Sequence, residues 1–258
     1  MNLKLLHIFL LSTGGTLLLC TPLIHTTELV NGLVIGKMCW FHLVMLFFSV
    51  CVFFVVLTKR TTAIAFLSSD LLLLIFTGTV LITYKWSLNP EPEKLIFIGQ
   101  LVIFWFLLRY ILTAYREFNF FFLFVGILTG LVEAVWGMQQ LHGHAYSNHS
   151  LFRLTGSFFN PGPYSGYLAV VLPVGLWMAL RFQKGMRCFG YICVGAILIV
   201  LPAGMSRSAW MAAVVACGWV YWAERIGWEK TKAVYRRNKN ATIPFIAIVA
   251  ILVGCAIA

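Results

Sequence analysis

Long apolar stretches recur along the whole chain, separated by short polar breaks. Nine can be drawn, at approximately 4–24, 38–57, 62–83, 95–113, 119–140, 164–180, 188–204, 208–223 and 243–258. A helix needs about 20 apolar residues to cross the hydrocarbon of a bilayer, and most of these stretches approach that length. Such a succession leaves little choice of fold, because backbone groups inside lipid must pair within their own segment. The expected class is all-α: a polytopic membrane protein with about nine transmembrane helices. Composition agrees, with 61% of residues hydrophobic and only 10% charged, where a soluble domain is about a quarter charged. The first stretch lacks a convincing small-x-small cleavage site and reads as an uncleaved span.

The positions of the cations assign the two ends. With the N-terminus in the cytoplasm, the inner loops carry Lys4, Lys59, Arg60, Arg109, Arg116, Arg181, Lys184, Arg187, Arg225, Lys230, Lys232, Arg236, Arg237 and Lys239, 14 of the 19 Lys and Arg. The outer side receives Lys37, Lys85, Lys94, Arg153 and Arg207. Positive residues favour the cytoplasmic side, so this split supports a cytoplasmic N-terminus. It also gives the net charge of +11 a topological meaning and argues against nucleic acid as a partner. The seven cysteines lie in or beside apolar stretches without a CxxC pair, and read as small apolar residues. The expected outer loops are 25–37, 84–94, 141–163 and 205–207.

The longest of these loops holds the least oily part of the chain, Arg153-Leu-Thr-Gly156-Ser-Phe-Phe-Asn160-Pro161-Gly162-Pro163, followed by Tyr164-Ser165-Gly166-Tyr167. Its Gly and Pro residues predict a structured loop that leads into a helix. Arg153 stands at the entrance. Arg207, in Ser206-Arg207-Ser208-Ala209-Trp210, is the second outward arginine beside a turn. Guanidinium groups match phosphate in a two-pronged way, so both are candidate contacts for an anionic lipid head. The alternative is an arginine that snorkels to the head groups. Glu133 is expected about 10 Å below the outer end of its helix, and Glu133, Gly137 and Gln140 share one face. An intramembrane carboxylate is costly and points to function, against a protonated Glu bonded to a neighbouring helix. Asp70 is expected about nine residues inside its span, with a structural hydrogen bond as its role. His142, His144 and His149 lie in the long loop without a carboxylate or Cys beside them, and read as loop histidines, not a metal site. No metal and no cofactor are expected, and no residue stands out as a catalytic base.

The loop followed by Ser165-Gly166-Tyr167-Leu168-Ala169 resembles the core of the O-antigen ligase and polymerase superfamily. Its members show a loop like R-x-x-G-x-F-x-N-P-N before a helix that opens with a small residue and Y-L. Ser206-Arg207-Ser208-Ala209-Trp210 is similar to the family's S-R-G-A-W. This chain departs from the pattern at Gly162-Pro163 and at Ser208, where the family usually has Gly. The resemblance covers about 119–223, and divides the chain into N-terminal transmembrane helices, 1–118, and a ligase-like core, 119–258. It implies an inverting, metal-independent glycosyltransferase of the bacterial inner membrane, with an undecaprenyl-diphosphate-linked glycan as donor on the periplasmic face. The acceptor would be a lipid, a glycan or a protein. Arg153, Arg207, Asn160, Glu133 and Gln140 would serve the substrate, and Gly156, Pro161, Gly162 and Gly166 would shape the loop. Members bring a catalytic His on a later outer loop. The stretch 243–258 reaches only about 22 Å and stays apolar to its last residue. The core is therefore expected to be incomplete at its C-terminal end: a truncated product, a fragment, or a half that needs a partner. A transporter or flippase for an anionic lipid or polyprenyl glycan would use the same arginines without breaking a bond, and an inactive fragment would use none.

Overall fold

The computed structural model describes residues 3–26, 32–59, 66–87 and 91–227. These residues form eight α-helices and no strand: α1 Leu3–Leu19, α2 Gly32–Lys59, α3 Ser68–Lys85, α4 Pro92–Ala114, α5 Glu117–Leu141, α6 Pro161–Arg181, α7 Lys184–Val200 and α8 Arg207–Tyr221. Six of the apolar runs are long and apolar enough to cross a membrane: α2 to α6, and α7 extended through Gly204. The protein is thus a multi-pass membrane protein. α1 is apolar but has 17 residues, and α8 has 15. The expected stretch 243–258 lies outside the described residues, as do Arg60 and the cations from Lys230 to Lys239.

The helices pack in two groups that share α5. In the first, Leu11 of α1, Val44, Phe48 and Val52 of α2, and Ile111 of α4 meet Phe118 at the start of α5. In the second, Ile127 and Ala134 of α5 meet Tyr164, Leu168 and Leu172 of α6, Ile197 and Val200 of α7, and Ala209 and Ala213 of α8. α6 and α7 approach so closely that a Cβ on Gly190 would sit 2.6 Å from the Ala179 nitrogen. Many large apolar side chains face outward, among them Leu43, Phe53, Leu72 and Val214. In water this would be a severe liability, whereas in lipid it is the expected solvent-facing surface.

Among the described residues, α3 packs substantially on α4 alone. Its single buried residue is Asp70, 1% exposed. Asp70 accepts hydrogen bonds from the Leu67 N–H (2.8 Å) and the Trp105 Nε1–H (2.8 Å), and pairs with Arg109. The carboxylate thus lies in the first turn of α3, not deep in a span, because Leu67 is extended and the helix begins at Ser68.

Two further helix starts differ from the apolar pattern. α2 begins at Gly32, so Lys37 lies on a helix and not in a loop. The ammonium is satisfied there by the Pro22 carbonyl, the Ile24 carbonyl (2.6 Å) and Ser157 Oγ (3.0 Å), which removes the need to reach water. α6 begins at Pro161, so Pro161-Gly162-Pro163 is its first turn. Pro has no N–H to leave unpaired at a helix start, and the Asn160 side chain caps the Gly162 N–H at 3.2 Å.

Candidate functional site

One face of α5 forms a mould for the motif loop. Glu133, fully buried, accepts the Ser157 N–H at 3.0 Å through Oε2, and Oε1 lies 2.5 Å from Ser157 Oγ. Two turns further, Gln140 accepts the N–H groups of Thr155 (2.9 Å) and Gly156 (2.7 Å). Its amide donates to the carbonyls of Tyr146 and Gly156, both at 3.0 Å. Gly137 stands between them as a notch. A Cβ there would fall 2.0 Å from the Tyr164 hydroxyl, which donates to the Glu133 carbonyl at 3.1 Å. The polar stripe Glu133–Gly137–Gln140 thus meets the loop directly, and neither polar side chain faces open space.

The loop has the shape this mould requires. Gly156 has φ +55°, in the left-handed region, and a Cβ there would lie 2.4 Å from the Tyr164 ring and 2.5 Å from Glu133 Oε2. Only glycine meets both conditions without strain. From the outer side, Asn148 Nδ2 donates to the carbonyls of Gly156 and Phe158, each at 3.0 Å. The Ser157 hydroxyl lies 2.5 Å from the Pro22 carbonyl and receives Lys37, so it joins the α1–α2 connection to the α5 carboxylate. Residues 154–157 are buried, and Thr155, Gly156 and Ser157 are held through their backbone groups and the Ser157 hydroxyl. The remainder of the motif, Phe159 and Asn160, faces outward.

The second motif is brought against the first. Met205, at φ +52°, turns the chain out of the 3₁₀ turn Pro202–Gly204 and into α8. Trp210 Nε1–H donates to the Leu201 carbonyl at 2.9 Å and holds that turn. Gly204 packs on Ser165 so tightly that a Cβ would fall 2.0 Å from Ser165 Oγ. A groove of about 520 Å3 runs between α6 and α8, with Gly162 and Gly166 on one wall and Ser206 and Ser208 on the other. On the opposite side of the α6 start lies a cleft of about 350 Å3, lined by Leu33, Val34 and Phe41 of α2, Phe97 of α4, and Phe159 and Asn160 of the loop. The start of α6 therefore stands between two recesses at the loop end of the bundle.

Both outward arginines lie at this end and are exposed. Neither makes a hydrogen bond or ion pair with the described residues. Arg207 is the first residue of α8. That position is unfavourable for a cation, because the helix macrodipole is positive there. Asn160 uses its Oδ1 for the α6 cap. Pro161 is buried at the α6 start, and Gly162 and Gly166 are half-buried on that helix.

Of the sequence-derived candidates, Glu133 and Gln140 thus hold the loop from behind, while Arg153, Asn160 and Arg207 face outward. His142 caps α5 through the Met138 carbonyl and stacks on His144. His149 lies against Phe152 and Phe159, and its Nδ1 accepts the Leu151 N–H at 3.1 Å. Sequence reasoning gave no part in this network to Lys37, which is remote from the motif in sequence, or to Asn148, which lies in the same loop but bonds to backbone carbonyls.

No family model matches the chain, and the searches of curated proteins and of solved structures give no match either. The likeness to the O-antigen ligase and polymerase superfamily therefore rests on the motif residues themselves.

Proposed function

We propose that the protein is a glycan ligase- or polymerase-like membrane protein that binds an undecaprenyl-diphosphate-linked glycan, by way of Arg153 and Arg207. On this reading it lies in a bacterial inner membrane with about nine spans and a cytoplasmic N-terminus, and the loop end faces the periplasm. Transfer of that glycan to a lipid or glycan acceptor, in the synthesis of a cell-surface polysaccharide, breaks its bond to the diphosphate and needs a base for the acceptor's proton, a role assigned to no residue described above.

One observation carries the reading: two exposed arginines without partners among the described residues stand at the end that the charge bias leaves poor in cations, one of them at a helix start that disfavours it. A bound diphosphate would reverse that penalty. Each guanidinium can grip two phosphate oxygens, and both would stabilise charge that develops on the leaving diphosphate. The rigid loop fits this task, because preorganised charge acts without reordering at the moment of reaction. The neighbouring recesses, one apolar and one bearing Ser206 and Ser208, suit a ligand that is part hydrocarbon and part polar.

The test is binding of a short-chain polyprenyl diphosphate to the purified protein in detergent. Wild type should bind it in preference to the same alcohol without phosphate, and less tightly as salt is raised. Arg153→Ala and Arg207→Ala should each weaken binding about tenfold or more, with Lys restoring only part, since Lys keeps the charge but not the fork. Unchanged affinity in the double alanine variant would falsify the proposal.

A further inference from the structure

The end of the bundle away from the motif loop holds a cavity of about 710 Å3, larger than either recess at the loop end. It lies between the start of α1, the end of α2 and the connection from α4 to α5. Its floor is a polar network. His7 is 3% exposed, with Nδ1 2.7 Å from the Tyr115 hydroxyl and Nε2 2.8 Å from Thr58 Oγ1. Both ring nitrogens are thereby used, and the three elements are tied together. Lys59 is fixed in the wall: its ammonium donates to the Ala114 carbonyl and lies 3.7 Å from the Tyr115 ring centroid. Lys4 and Arg116 add two more cations to the lining, against one carboxylate, Glu117.

The rim is as informative as the floor. Leu3 and Leu5 of α1, and Val56 and Leu57 of α2, are exposed beside the cavity. A charged recess bordered by outward apolar helix faces suits an amphiphile with an anionic head. An aqueous metabolite would leave that rim bare. We propose that this cavity binds the phosphate head of an anionic phospholipid, with the acyl chains lying along the exposed faces of α1 and α2. The site is at the other end of the molecule from Arg153 and Arg207, so it does not depend on the donor reading. Cationic recesses between transmembrane helices are a physically sound place for such heads, because each Lys or Arg near an anionic lipid adds to its retention.

Native mass spectrometry of the purified protein tests this, with phosphatidylglycerol and phosphatidylcholine offered at equal concentration. Wild type should retain phosphatidylglycerol preferentially. The pair Lys4→Gln and Arg116→Gln leaves the His7 floor and the Lys59 contacts in place, and should reduce that retention roughly thirtyfold, the scale of two cations at a lipid head. The pair Lys85→Gln and Lys94→Gln removes the same charge at the opposite end and should change it less than twofold. Equal retention of the two lipids by wild type, or equal loss in both variant pairs, would overturn the proposal. So would full displacement of the lipid by millimolar inorganic phosphate, because the site would then take phosphate alone.

Discussion

Among the described residues two carboxylates are buried, and they are answered in opposite ways. Asp70 meets a cation. Arg109, Trp105 and the Leu67 N–H surround it, and the result is a clamp between α3 and α4. Glu133 meets the backbone and hydroxyl of Ser157, and a cation only at one remove, through the contact of Lys37 with that hydroxyl. The first arrangement is closed: charge cancels charge and nothing leads outward. The second fixes a loop whose outer side carries Arg153 and Asn160. A buried acid beside an arginine is thus the less informative of the two. The carboxylate that spends its acceptors on shaping a loop marks the candidate site.

The comparison breaks first at Gly156. Gly156→Val forces a β-branched residue into the left-handed region and into the Tyr164 ring, and should destabilise the protein by about 3 kcal/mol or more. The unfolding midpoint in detergent should fall, and a protease should cut the loop between 146 and 160. A loop that stays resistant in that variant would mean that α5 does not mould it.

Asp70→Asn comes next. It leaves Arg109 beside a neutral amide and should lower the unfolding midpoint by more than the loss at Glu133 does. The effect should be local: cysteines introduced into α3 become reactive while the loop stays uncut. Glu133→Gln should cost less, about 1–2 kcal/mol, because one acceptor remains for Ser157 and no cation is stranded in direct contact. Its effect should appear in the loop and not in α3. If Glu133→Gln proves the more damaging, or loosens α3, the distinction between clamp and mould is lost. The smallest expected effect is that of Arg153→Ala and Arg207→Ala on stability, within about 0.5 kcal/mol, since both side chains are exposed and make no bond with the described residues. A larger loss, read from the same unfolding midpoint, would assign them a structural role.

Helix positions were largely legible in the sequence, since the first eight apolar stretches each overlap a described helix. The reason is physical, because lipid-facing surfaces demand runs of apolar residues that a reader can count. Helix ends were less so. Lys37 reads as a loop residue until Pro22, Ile24 and Ser157 are seen to satisfy it. Pro161 reads as a bend until its place in a first turn is known. The partners of Asp70 were within reach: in an antiparallel hairpin, Asp70 lies about as far from the turn as Trp105 and Arg109 do. The sharing of Glu133 and Gln140 by the loop was half legible. Their common face followed from helical spacing, but hydrogen bonds to N–H groups leave no trace in residue identity. Asn148 was out of reach for that same reason.

The Lys37 ammonium also has a meaning in time. Pro22 and Ile24 leave the ribosome before Lys37, so the first hairpin can offer two of its three acceptors as soon as α2 is in place. The third, on Ser157, is made 120 residues later. Until then the third acceptor is missing, and nothing joins the contact of Lys37 with Pro22 to Glu133. Arrival of Ser157 supplies both. A single serine thus records whether the early and late parts of the chain have come together, and Ser157→Ala would let synthesis finish without that closing step.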